Sequence, residues 1–273
     1  MMMKKRTLLA ATALGLFGVL ASAHAADGPL RIGMIATYSG PYADYGRQFD
    51  AGVALYLKEH GGKIAGRSVE IVRKDTGGAA PDAAKRFAQE LVVRDKVSFI
   101  TGLDFSPNAY AIAPIVTQAK IPTLVMNASS SAITTSSPYI ARLSFTVQQT
   151  SAPLAQWMIK QGIKEAYTVV ADYASGTDAD TAFSQAFEAA GGKVVGRLRT
   201  PMNNPDFSAY VQRIKDAKPQ SVFFFFPSGV MPPAFLKVWK ERGMEAVSYT
   251  HLRAHETDSS IVCRLLLEKR NWP

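Results

Sequence analysis

Three loops hold most of the residues in this sequence that could do chemistry: Tyr38 to Tyr45, Gly102 to Asn108 and Asn127 to Ser131. They are rich in hydroxyls, aromatic rings and small residues. Each falls at the carboxyl end of an apolar, strand-like run, where ligands sit in open α/β sheets. Backbone N–H groups and serine hydroxyls, with a helix starting at Ser106, can hold a carboxylate without any arginine. The competing reading is that Ser106 caps its own helix and Ser129 to Ser131 fill a turn. Both readings stay open residue by residue. Convergence of three such loops on one sheet edge favours a site.

Catalytic chemistry has few candidates. Before position 248, and after the first 25 residues, there is one histidine, His60, at a helix end, and no cysteine. No G-x-S-x-G or G-x-G-x-x-G is present, and no Cys/His cluster has metal-ligand spacing. No cofactor is expected. Gly61 to Ser68 (GGKIAGRS) has the spacing of a phosphate loop, with Arg67 in the lysine position. It follows a helix and opens a strand, the reverse of the required order, so it reads as a turn.

The elements that must position the three loops alternate regularly. Leu30 to Ile35 is a strand, with a helix starting near Gly46 and reading clearly over Gln48 to His60. Ser68 to Arg73 is a strand. Pro81 opens a helix with Ala84, Phe87, Ala88, Leu91 and Val92 on one face. Val97 to Thr101, a helix over Pro107 to Ala119, and Ile121 to Met126 continue the pattern, which implies a parallel sheet with helices on both faces. Tyr139 to Thr146 is strand-like, and the chain crosses to a second lobe near Phe145 to Thr150. The alternation restarts with a helix over Ala152 to Gln161, a strand at Ala166 to Ala171 and a helix over Thr177 to Ala190. A strand at Lys193 to Leu198 and a helix capped by Asp206 come next. Ser221 to Phe226 is a buried strand, and Pro232 to Arg242 a last helix. A cleft is expected between the lobes.

The chain has 273 residues and a formal charge of +9. Lys4, Lys5 and Arg6, an apolar Leu8 to Leu20 and Ala23-His24-Ala25 read as a cleaved signal peptide over residues 1–25. That places the product in the periplasm and leaves +6 on the mature chain. Its basic residues are scattered among acids, without a run, so nucleic acid is not an expected partner. Cys263 cannot pair within the chain, so stability must come from the core. Beyond Val247 the alternation fails. Residues 248–273 offer no convincing continuation of the sheet and read as a non-native tail.

SGPYADYG (Ser39 to Gly46) after IGMIA, IPTLVMNASSS (Ile121 to Ser131) and PDFSAYVQRIKDAKPQSVFFF (Pro205 to Phe225) together resemble the periplasmic substrate-binding proteins of ABC importers, in the leucine/isoleucine/valine-binding branch. The resemblance covers about Leu30 to Gly243. It implies a two-lobed type I α/β fold closing on its ligand by a hinge, with 26–147 as the first lobe and 148–247 as an incomplete second lobe. It implies that Tyr45 packs over the ligand, that Ser106 binds its carboxylate, and that Ala128 and Ser129 give backbone and hydroxyl contacts. The tyrosine typical of the leucine type falls near Gly176, with Tyr173 the nearest aromatic, so amino-acid specificity is not supported. The candidate ligand-binding set is therefore Tyr45, Asp104, Phe105, Ser106, Asn127, Ala128, Ser129 and Tyr173. The implied function is a non-catalytic, monomeric receptor handing a small carboxylate (a branched-chain amino acid, an aromatic acid or a relative) to a membrane permease. The alternatives are a sensory module of the same fold or, less well supported, an exported hydrolase. If strands of the second lobe are missing, the apolar residues Phe223 to Phe226 should lie uncovered.

Overall fold

The computed structural model describes residues 28–203 and 205–244, and the backbone of 247–248 and 264–266. The proposed signal peptide lies outside the described residues, and so does most of the tail.

The first sheet is built on β1 (Leu30–Ala36), whose last five residues are buried. An uninterrupted apolar run of this kind belongs in the middle of a parallel sheet. β1 pairs in parallel with β3 (Arg67–Asp75) on one side and β4 (Phe99–Gly102) on the other. β5 (Thr123–Val125) and β6 (Ile140–Arg142) extend the sheet in parallel, while β2 (Lys63–Ile64) forms an antiparallel hairpin with β3. The order is β2-β3-β1-β4-β5-β6. The glycines at 61, 62 and 66 thus belong to turns, as their context predicted, and His60 stacks on Tyr56 with ring centroids 3.9 Å apart.

Three helices serve this sheet: α1 (Asp44–Glu59), α2 (Pro81–Val93) and α3 (Ser106–Ala119). Ala84, Ala88 and Leu91 of α2 are fully buried, the face read from their spacing. Together with Ile100, Ile112 and Val116 they form one apolar cluster.

After β6 the chain leaves this sheet and enters α4 (Val147–Lys160). A reciprocal cap between Thr146 and Gln149 starts this helix five residues earlier than its sequence was read. The second sheet is centred on β7 (Glu165–Ala171), parallel to β8 (Lys193–Thr200) and β9 (Ser221–Phe225). α5 (Ala174–Ala189) and α4 cover one face, and α6 (Ser208–Ala217) and α7 (Met231–Glu241) the other. Asp206 accepts the Ser208 N–H at 2.9 Å, but it stands one residue before the N-cap, which is Phe207 and not the Asp206 expected from the sequence.

Two expectations about β9 change. Phe223, Phe224, Phe225 and Phe226 are all at most 2% exposed. Phe183 stacks on Phe223 at 4.2 Å on one face, and Phe235 lies 5.2 Å from Phe224 on the other. Helices from this lobe alone therefore cover both faces of the strand. The sheet also continues: β10 (Val247–Ser248) and β11 (Arg264–Leu266) add antiparallel strands, β11 pairing directly with β9. Alternation of strands and helices, the pattern followed along the sequence, gives no signal for such an antiparallel edge.

Candidate functional site

The carboxyl ends of β1, β4 and β5 face those of β7 and β9 across the cleft between the lobes. A small pocket, with room for about one water-sized molecule as the lobes stand, lies there. Tyr45, Asp104, Phe105, Asn127, Ser129 and Tyr173 line it, together with Ser175, Phe225, Phe226 and Pro227. Six of the eight sequence candidates are therefore in its wall.

Two glycines allow the walls to meet. Gly102, at φ +95°, ends β4, and a Cβ there would lie 2.4 Å from the Ile35 carbonyl oxygen. This left-handed turn leads the chain straight from β4 into α3. Gly176 sits on the first turn of α5, where a Cβ would lie 2.0 Å from the Ala171 carbonyl oxygen. The close approach sets α5 hard against the end of β7.

Ser106 is the first residue of α3 and Ser175 the second of α5. Their hydroxyl oxygens are 2.6 Å apart, and both residues are at most 2% exposed. Ser106 also accepts the Ser130 N–H at 3.1 Å, and Ser129 donates to the Ser175 hydroxyl at 3.4 Å. The Ser106 side chain does not cap its own helix. The capping interpretation therefore fails for Ser106, whose hydroxyl reaches across the cleft instead. Two helix N-termini, neither with an acid in its first turn, thus meet head to head. Each carries about half a positive charge and first-turn N–H groups that have no partner within the helix. Such a pairing of helix N-termini is electrostatically suited to an anion.

The aromatic wall surrounds this point. Phe105 meets Tyr45 edge-on at 5.6 Å, Tyr42 at 5.2 Å and Tyr173 at 6.2 Å. Tyr173 also stacks on Phe225 at 6.5 Å. The Tyr45 hydroxyl accepts the Ser228 N–H at 3.0 Å, and burial pushes its phenol up to about 12. Burial likewise raises the Tyr173 phenol well above its ordinary value.

Asp104 has a different task. Its carboxylate accepts the Thr37 N–H at 2.8 Å and the Phe105 N–H at 3.1 Å, binding the ends of β1 and β4 together. Burial outweighs these two bonds and raises its carboxyl to about 6. Asn127 donates to the Asp104 carbonyl at 3.0 Å. Ala128 does not line the cavity. Its N–H is bonded to the Leu103 carbonyl at 2.9 Å and its carbonyl to Arg142 at 3.2 Å, so its backbone groups serve the loop.

Sequence reasoning did not identify Ser175, Phe225, Phe226 and Pro227. It began α5 at Thr177, which left Ser175 in a loop. The available signal was symmetry: Ser106 and Ser175 each stand at the start of the helix that follows a buried strand.

Comparison with known proteins agrees with this architecture. The family model described as periplasmic binding protein matches residues 29–260. The chain is 44% identical over 238 residues to the Leu/Ile/Val-binding protein homolog 6 of Brucella melitensis, aligning 87% of this chain with 61% of that protein. A solute-binding protein of an ABC transporter from Rhodopseudomonas palustris BisB5, solved with 3,4-dihydroxybenzoic acid, is 45% identical. It superposes with a TM-score of 0.76, over 79% of this chain and 59% of that one. A second R. palustris solute-binding protein, in complex with 4-hydroxybenzoate, is 44% identical with a TM-score of 0.75, over 79% and 59% of the two chains. The chain thus spans about three-fifths of the length of these relatives.

Proposed function

The chain belongs to the periplasmic binding protein family, and on that premise we propose that it is an extracytoplasmic receptor for a small aromatic carboxylate, which it delivers to the permease of an ABC importer. Residues 26–147 supply one wall of the cleft and 148–247 the other. The observation that carries the reading is the meeting of two helix N-termini at Ser106 and Ser175, 2.6 Å apart and buried. A carboxylate that takes the place of this direct contact as the lobes part receives hydroxyl and backbone N–H donors and neutralises two facing dipoles. The rings of Tyr45, Phe105, Tyr173 and Phe225 then offer edges and faces to a flat aromatic body.

An amino acid fits less well. Its ammonium needs an anionic partner, and among the described residues the one carboxylate in the cavity wall, Asp104, is engaged with two backbone amides. The two R. palustris proteins bound to hydroxybenzoates support the same choice.

Calorimetric titration with 4-hydroxybenzoate, 3,4-dihydroxybenzoate and leucine tests the assignment. The two aromatic acids should bind and leucine should bind far more weakly. Tighter binding of leucine, or no binding of either aromatic acid, refutes it.

A further inference from the structure

One loop at the edge of the cavity, to which it contributes Ser129, is held from both sides. Residues 128–131 follow β5 and form part of the first lobe. On their own lobe, the Arg142 guanidinium donates to the carbonyls of Ala128 at 3.2 Å, Ser130 at 2.7 Å and Ser131 at 3.3 Å. From the other lobe, Asp178 on the second turn of α5 accepts the Ser131 N–H at 2.9 Å and the Ser130 hydroxyl with the same oxygen. The Ser130 hydroxyl also contacts the Tyr110 hydroxyl at 2.7 Å. The loop is therefore polarised, with its carbonyls on a cation of its own lobe and its N–H and O–H on an anion of the opposite lobe. Hydrogen bonds to an ionised acceptor are about twice as strong as neutral ones. These bonds join the two lobes, and Asp178 and Arg142 are absent from the cavity wall.

We propose that Asp178 is a positioning residue for ligand retention: its carboxylate latches the second lobe onto the Ser130–Ser131 loop and so sets how much of the population is closed. The latch rests on the receptor function proposed above but not on the identity of the solute. Arg142 keeps the loop shaped when the lobes part, so the latch can re-form without refolding the loop. Closed-state bonds that lie outside the pocket act on escape of the solute. They slow dissociation and leave the encounter with the open cleft unchanged.

The test has two arms and uses Asp178→Asn, which keeps the shape of the side chain and removes its charge, with Ser130→Ala as a second variant on the opposite lobe. Without any solute, small-angle scattering should give a larger radius of gyration for both variants than for the parent chain, at an unchanged melting temperature. With 4-hydroxybenzoate, stopped-flow measurement should show dissociation accelerated about tenfold in Asp178→Asn, the lower end for a hydrogen bond to a charged group. Association should change less than about twofold. The two substitutions should be strongly non-additive, since they break one contact. An unchanged radius of gyration in both variants overturns the latch, and so does a slowed association with unchanged dissociation. If the radius increases while 4-hydroxybenzoate fails to bind the parent chain, the solute assignment falls and the latch stands.

Discussion

Replacing Ser175 by alanine removes one oxygen from the point where the two helices meet. That oxygen is 2.6 Å from the Ser106 hydroxyl and 3.4 Å from that of Ser129, in a residue 2% exposed. In the ligand-free protein the loss is that of neutral hydrogen bonds, about 0.5–1.5 kcal/mol, and the melting temperature should fall by only a few degrees. With a carboxylate bound, the same hydroxyl donates to a charged acceptor, a bond of about 1.5–3 kcal/mol. Affinity for 4-hydroxybenzoate should therefore fall about 10- to 150-fold. The neutral amide of the same shape, 4-hydroxybenzamide, isolates the charge: its affinity should fall by less than about tenfold on the same substitution. Calorimetry on the parent chain and the variant with both solutes closes the cycle. An equal loss for acid and amide would refute the argument that the helix ends select an anion. Because the contact is buried, the difference should change little between low and moderate salt.

Other outcomes follow from the same geometry. Tyr45→Phe removes the acceptor of the Ser228 N–H, and titration should show affinity for 4-hydroxybenzoate reduced about 3- to 10-fold with the aromatic packing kept. Gly176→Ala puts a methyl group 2.0 Å from the Ala171 carbonyl oxygen, and urea unfolding should report a loss of about 1–3 kcal/mol as α5 is pushed off β7. Asp104 has its carboxyl raised from 3.8 to about 6 by burial. The folded chain thus holds this proton more tightly than the unfolded chain, and the resulting stability is full below 3.8 and lost as pH rises through 6. In Asp104→Asn that rise in stability on acidification, up to about 3 kcal/mol, should disappear from melts between pH 4 and 7.

The parts of the fold that the sequence revealed are those where local pattern and tertiary burial agree. The apolar stripe of α2 and the run of β1 could be read because every residue in them answers to one neighbouring layer. Helix starts were harder to place. α5 begins three residues earlier than its apolar spacing indicates, since Gly176 lies hard against the end of β7 and Ser175 is bonded to the opposite lobe. That displacement hid Ser175, although the first-lobe serine was found. Ser106, Asn127 and Ser129 stood in loops whose composition alone pointed to anion binding. Asp104 stood there too, but its engagement with the amide of Thr37 depends on pairing across 67 residues, which no local pattern carries. The cover over Phe223 to Phe226 was misjudged for a similar reason. The layers come from Phe183, 40 residues before its partner Phe223, and Phe235, 11 residues after its partner Phe224.

Among the described residues, the polypeptide passes between the two sheets once, from Arg142 to Val147. A single covalent thread fixes a pivot point but no axis, so it leaves rotation in all directions free. Orientation must come from contacts away from the thread, and among the described residues two groups at the ends of the cleft add to the Ser106–Ser175 contact at its centre. One joins Tyr42 to the Met202 carbonyl at 2.9 Å and Tyr45 to Ser228 at the cleft rim, and the other joins Asp178 to the Ser130–Ser131 loop. With these and the central serine contact in place the halves are held in one relative pose. Breaking either group alone leaves the central serine contact and the other group to hold the pose, and so frees rotation chiefly at the broken end.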